Sequence, residues 1–268
     1  MSEEQGQSTN EFLNPQEKEI LDKIGEYLTR KKIPFMITSE LTSMAAKDKD
    51  IDLCLAGDLS EEQKNLADLQ KEFPNISWIG LMGGEVDSTS VIAPSPYQIY
   101  DSVGVASASI RGKQIDFISG YALKVWEEGK QIQDLDRVDF SLAIGETDFT
   151  EAINGYNFLS LPLMLLKHYL EIKYIEESSL EELEAGEAGE TYYQKKIKNS
   201  CYANFQTGLD KLNDRPPKVG LSTYHRKLKP VQDFLSLQVR QGNITSQENA
   251  NKLFAEFFDF CFFTPPDK

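Results

Sequence analysis

Lys47-Asp48-Lys49-Asp50-Ile51-Asp52-Leu53-Cys54-Leu55 is the stretch on which the fold turns. From Asp50 onward, Ile51, Leu53 and Leu55 alternate with Asp50, Asp52 and Cys54, the period-two pattern of a half-buried β-strand. Asp50 and Asp52 therefore leave the strand on the same side. Neighbouring carboxylates repel unless a cation lies between them, and hard oxygen donors at this spacing suit Mg²⁺ or Mn²⁺.

A third carboxylate comes from a second strand pattern, Lys113 to Ser119, in which Asp116 stands between Ile115 and Phe117. Val103 to Ile110 alternates in the same way and Arg111-Gly112 supplies a turn, so the two segments read as a β-hairpin. Upstream, Asn14-Pro15-Gln16-Glu17 opens a helix by N-cap, first-turn proline and capping-box glutamate. Its inward face is Ile20, Ile24, Tyr27 and Leu28, and Pro34 stops it. Phe35 to Thr38 then reads as a strand, and a short helix from Ser39 to Ala46 delivers the chain to Asp50.

In this order of strand, short helix, Asp-apolar-Asp strand and distant apolar-Asp-apolar strand, the chain resembles the nucleotidyltransferase superfamily that includes DNA polymerase β. The likeness is to its minimal, AbiEii-like branch, linked to toxin–antitoxin pairs. Lys49-Asp50-Ile51-Asp52-Leu53 is similar to the core motif of that family. The family's first strand ends in Gly-Gly or Gly-Ser, whereas Thr38 stands in the glycine position here and Ser39 follows. Glycine lets backbone N–H groups approach phosphate closely and takes φ values that threonine resists. Ser39 keeps a hydroxyl for the terminal phosphates.

The resemblance implies an α+β fold, a nucleotidyltransferase-like small mixed β-sheet flanked by helices, with a helical C-terminal region. Residues 1–13 are expected as a disordered tail, 14–156 as the catalytic domain and 157–268 as the helical region. Asp50, Asp52 and Asp116 would be the catalytic, metal-holding carboxylates, with Mg²⁺ or Mn²⁺ as the ion. Thr38, Ser39, Lys49 and Lys167 would line the nucleotide. The implied reaction moves a nucleoside monophosphate from an NTP to a hydroxyl of an RNA such as a tRNA end, of a protein or of a small molecule. An antitoxin or a second copy of the chain is the implied protein partner.

Thr38 motivates an alternative on the same fold: a catalytically weakened nucleotide-binding or interaction protein. A third possibility takes Asp50-Ile51-Asp52 as the Asp-x-Asp of a nucleotide-sugar glycosyltransferase. That motif usually follows several βαβ units, and only about fifty residues precede it here. An acidic, solvated edge strand is the plain structural alternative.

Composition narrows the partners. The chain has 268 residues, 40% hydrophobic and 26% charged, with a net charge of −15. That charge argues against a broad basic grip on long nucleic acid, which needs clustered Lys and Arg, but is compatible with a small nucleotide escorted by a divalent cation. No apolar run approaches the roughly 20 residues that cross a bilayer. The polar, acidic Met1 to Asn10 does not read as a secretory signal, so a cytoplasmic protein without membrane partners is expected. Cys54, Cys201 and Cys261 lack any paired spacing and read as reduced residues; His168 and His225 fit no catalytic pattern.

Elsewhere, Ser60 to Glu72 reads as a capped helix, Ile76 to Leu81 as a strand and Gly83-Gly84 as a turn rather than a phosphate loop. Tyr121 to Glu128 reads as a helix and Phe140 to Ile144 as a strand. Ser160 and Pro162 open a helix over Leu163 to Ile172. Its Lys167, amid Leu165, Leu166 and Tyr169, reads equally as a phosphate contact or as a side chain snorkelling from a packed helix. An acidic stretch from Ile175 to Gly189 reads as a solvated loop or linker and precedes a helix from Thr191 towards Leu212, ended by Asp214-Arg215-Pro216-Pro217. Leu221 to Lys229 is the most basic run, and helices from Pro230 and Thr245 close the chain with a phenylalanine cluster suited to core packing or a subunit interface.

Overall fold

The computed structural model describes residues 15–39, 50–56, 68–79, 104–153, 155–177, 190–214 and 225–263. The expected tail over 1–13, Lys49, Gly83-Gly84 and most of the expected helix over 39–46 lie outside them. Of the helix expected over 60–72 only residues 68–72 are described, with Leu69–Glu72 helical, and Ile175 to Glu177, expected in the acidic linker, are helical instead.

Helix α1 (Pro15–Arg30) is shaped by one apolar stripe: Ile20, Leu21, Ile24, Tyr27 and Leu28 are all buried. It ends in a Schellman-type closure, with Ile33 N–H donating to the Leu28 carbonyl at 2.9 Å and Lys32 N–H to Thr29 at 3.0 Å. Lys32 takes the left-handed position at φ 61° that glycine usually fills. Strand β1 (Phe35–Ile37) then pairs antiparallel with β2 (Ile51–Leu55), Phe35 opposite Leu55 and Ile37 opposite Leu53. After α2 (Leu69–Glu72) and β3 (Ser77–Ile79) come β4 (Gly104–Ile110) and β5 (Lys113–Ser119). The last two form the expected hairpin, with Arg111 at φ 53° and Gly112 at φ 83°. Two successive positive φ values match the right-handed twist of the strands they join.

Strand β5 lies parallel to β2 and in register, with Ile51 opposite Ile115, Asp52 opposite Asp116 and Leu53 opposite Phe117. Two later strands complete the sheet after β6 (Ala122–Lys124) and β7 (Arg137–Asp139) have formed a separate ribbon. They are β8 (Thr150–Ile153) and β9 (Tyr156–Leu159), and β9 runs parallel to β1. The order is β3-β4-β5-β2-β1-β9-β8. Phe158 and Leu159, beyond the division expected after residue 156, thus belong to the sheet.

Two elements correct the sequence reading. Ala122 to Lys124 is a strand, not part of a helix: Tyr121, Ala122 and Leu123 are all buried, so neither a helical nor an alternating period is visible. Phe140 to Ala143 is a single 3₁₀ turn, not a strand. Asp139 caps it by accepting the Ser141 N–H at 2.9 Å, a local side-chain bond that competes with the sheet ladder.

Helices α3 (Leu161–Glu177), α4 (Glu190–Asp214), α5 (Lys229–Arg240) and α6 (Gln247–Phe263) make the helical region. The sheet separates two cores. Ile37, Ile51, Leu53, Leu55, Ile115 and Phe117 face α1. Met36, Cys54, Ile118 and Leu159, from the opposite side of the same strands, join α3 to α6 in the larger core. The phenylalanine cluster belongs to this core: Phe254 and Phe257 are buried, and Phe260 packs on Tyr169 and Phe205 with centroids 5.1 and 5.0 Å away.

Candidate functional site

Alternation along β2 and β5 assigns Asp52 and Asp116 to the sheet face that carries Cys54 and Ile118, the face turned to the helical region. Parallel pairing with no offset then sets the two aspartates on neighbouring strands, side by side. Asp50 precedes β2 on the same parity and is exposed. Asp116 accepts from the Gln114 side-chain amide at 3.2 and 3.4 Å. On the next strand Ser107 stands opposite Asp116 and Ser109 opposite Gln114, so a polar field spreads over this part of the face.

The Thr38-Ser39 turn is built into β2. Thr38 N–H donates to the Asp52 carbonyl at 3.0 Å, and Ser39 Oγ to the Asp50 carbonyl at 3.4 Å. The Asp52 N–H in turn donates to Ser39 Oγ. Both side chains are buried, so the hydroxyl expected to meet phosphate also braces the strand that carries the carboxylates. Burial pushes the Asp52 carboxyl up to about 6. Lys167 draws it down, Asp116 raises it further, Ser39 lowers it by a hydrogen bond and Asp50 raises it. Like charges gathered on a half-buried strand face are the electrostatic signature of a cation site.

Lys167 comes from α3, directly after β9. Its Nζ lies 5.9 Å from the centre of the Tyr121 ring and 3.7 Å from Glu171 Oε1, one helical turn on. The structure therefore brings Asp52, Asp116, Ser39 and Lys167 to one locality between the sheet and α3. The described part of the basic run is occupied by helix packing: Lys227 donates to the Leu212 carbonyl at the end of α4, Lys229 pairs with Asp233, and His225 lies 4.6 Å from the Phe258 ring.

Sequence reasoning missed the group beside Lys167. His168 Nδ1 is 2.9 Å and Cys201 Sγ 3.2 Å from Glu171 Oε2, all three buried. Their donor atoms lie within 4.8 Å of one another, the one set of metal-type donors that close among the described residues; the three aspartates span more. Burial pushes Glu171 up, but Lys167, His168 and Cys201 outweigh it and hold the carboxyl well below the usual range. A charged Lys-His-x-x-Glu set inside the apolar run from Leu161 to Ile172 was the available signal. All three cysteines are free and buried.

The assembly is a mixed α+β protein with a polar, acidic strand face against a helical layer. No family model, curated protein or solved structure matches the chain. No helix among the described residues is long and apolar enough to cross a membrane.

Proposed function

We propose that the chain is a metal-dependent nucleotidyltransferase moving a nucleoside monophosphate from an NTP to a hydroxyl acceptor. The observation that carries this reading is the in-register placement of Asp52 beside Asp116 on parallel strands, with Asp50 on the same parity. The donor set fits hard divalent cations, because it is all carboxylate and because Asp52, raised to about 6, relieves its repulsion by gaining a positive neighbour. Bound Mg²⁺ or Mn²⁺ would supply charge neutralisation at the triphosphate and lower the pKa of the attacking hydroxyl.

The chain's own residues supply the rest. Asp50, Asp52 and Asp116 would hold the cations, and Asp116 would serve the acceptor hydroxyl, through its cation or as the base. Lys167 offers a fixed positive charge to the phosphates from the helical side. Ser39 and Thr38 keep β2 and its carboxylates in place, with Lys49 a further nucleotide contact. A tRNA end, a protein hydroxyl and a small molecule are the acceptor classes, and an antitoxin or a second copy the protein partner. The tie between Ser39 and β2 favours one alternative, a nucleotide-binding protein with weakened turnover.

The test is transfer of label from each of the four NTPs, with Mg²⁺ or Mn²⁺ and total tRNA or lysate as acceptor, beside an Asp50→Ala, Asp52→Ala double variant. Incorporation by the wild type that falls at least about 100-fold in the variant is expected. Nucleotide-dependent stabilisation without incorporation would select the weakened-site alternative.

A further inference from the structure

Helix α3 carries a polar set where packing alone asks for apolar side chains. His168 and Glu171, three residues apart on one helical face, are each 3% exposed, and Cys201 of α4 is 7% exposed. Leu165, Leu166, Leu170 and Ile172 of the same helix are buried and apolar. Burying ionisable side chains at a helix contact costs stability that apolar residues of similar volume would not. Core packing therefore does not call for this set.

Its geometry is that of a ligand set. His168 Nδ1 lies 2.9 Å and Cys201 Sγ 3.2 Å from the same oxygen, Glu171 Oε2, and one donor atom of each residue falls within 4.8 Å of the other two. Around a tetrahedral zinc ion, with bonds of about 2.0–2.3 Å, such donors stand roughly 3.4–3.6 Å apart. Opening the two contacts by about half an ångström makes room for the ion. Lys167 meets the carboxylate at its other oxygen, with Nζ 3.7 Å from Oε1, the way outer partners orient a metal-binding carboxylate. The two helices are close enough to share an ion: Gly208, two turns from Cys201 on α4, would put a Cβ 2.8 Å from Leu165 Cδ2.

We propose that His168, Glu171 and Cys201 form a binding site for a zinc-type divalent cation, separate from the aspartate face, that ties α3 to α4. Imidazole, thiolate and carboxylate are zinc donors, and the thiolate selects against Mg²⁺. Thiolate and carboxylate together match the two charges of the ion. On binding, the Cys201 S–H bond breaks, its proton passes to solvent and the metal–sulfur bond forms, while neutral His168 ligates through Nδ1 with its proton on Nε2. No fourth donor residue joins the set among the described residues, which leaves one coordination position to water. This site does not depend on the nucleotidyl-transfer reading.

The test uses the whole chain, stripped of metal by chelation and kept reduced. Co²⁺ should give a thiolate charge-transfer band that saturates at about one equivalent, stays under excess Mg²⁺ and in the Asp50→Ala, Asp52→Ala double variant, and disappears when Zn²⁺ is added. Cys201→Ser should abolish the band, whereas Cys54→Ser and Cys261→Ser should keep it. His168→Gln should raise the Co²⁺ dissociation constant at least about tenfold, the smallest loss that even an outer partner of a ligand gives. Zn²⁺ at roughly 100 times its Kd should raise the wild-type melting temperature by about 5 °C and leave that of Cys201→Ser unmoved. X-ray absorption of the zinc-loaded wild type needs no variant to fold, and should show one sulfur at about 2.3 Å among nitrogen and oxygen neighbours at about 2.0–2.2 Å. A wild type without the band, a zinc shell with no sulfur or with two, or a band that survives Cys201→Ser each overturns the proposal and leaves the three residues as a hydrogen-bonded core contact.

Discussion

Asp52 and Glu171 are both acids beside Lys167, and they are moved in opposite directions. Asp52, half-buried among Asp50 and Asp116, is pushed up to about 6. Glu171, more deeply buried, is held well below its usual range. Burial raises both, so depth does not distinguish them. The neighbours do: Asp52 has like charges on its strand face, whereas Glu171 has a histidine, a thiol and the lysine. The strand face gathers like charges, whereas the Glu171 carboxylate faces donors.

The contrast breaks most severely at Glu171. Glu171→Ala would leave Lys167 and His168 facing a hole, and a loss of roughly 3–5 kcal/mol in urea unfolding at pH 7 is expected, as for other broken buried pairs. Because the folded-state pKa of Glu171 is depressed, its stabilisation is present above the unfolded carboxylate range and fades as pH falls through the native value.

Asp52→Asn should do the opposite. A raised native pKa means the folded state binds the proton more tightly than the unfolded one. Asp52 therefore favours folding most when protonated, below about pH 4, and that contribution is lost as pH rises through about 6. Without metal at pH 7, Asp52→Asn should stabilise the protein by about 1–2 kcal/mol, a figure reduced for solvent screening at a partly exposed site. Melts at several pH values should show the gain shrinking between pH 6 and 4. A loss of stability at pH 7 would mean that the Asp52 charge is already balanced.

A smaller change sharpens the same point. Asp116→Asn removes one like charge, so the Asp52 carboxyl resonance followed by NMR should titrate at lower pH than in wild type. An unmoved midpoint would show that register does not bring the two charges into contact. The exposed Glu19, although held down to about 2 by Arg111 and Lys23, marks the floor of the scale. Its pair is open to solvent on both sides, and Glu19→Gln should leave the melting temperature unchanged within error.

Much of the strand site was legible in the chain. Alternation in Asp50 to Leu55 and in Lys113 to Ser119 fixed which side each aspartate takes, and Arg111-Gly112 announced the hairpin. The helix site was not legible, because His168 and Cys201 carry no spacing that links them, and a thiol on one helix reads like any small buried residue. Ala122 to Lys124 and Phe140 to Ala143 were misread for a related reason. Ala122 to Lys124 follows Tyr121 in a segment buried on both faces, where periodicity vanishes, and at Phe140 to Ala143 local capping by Asp139 decides.

By itself the sequence determined the two strands that carry Asp52 and Asp116 and the face on which each acid stands, since a side chain's direction along a strand follows from its position within a few residues. Only the tertiary structure decided that β2 and β5 lie parallel with Asp52 opposite Asp116, and that α4 brings Cys201 to Glu171. Those are choices of partner and register between distant segments. The strand register is held by the two cores that the sheet separates, because a one-residue slip between β2 and β5 would turn Leu53 or Phe117 to the charged face and that strand's aspartate into the core against α1.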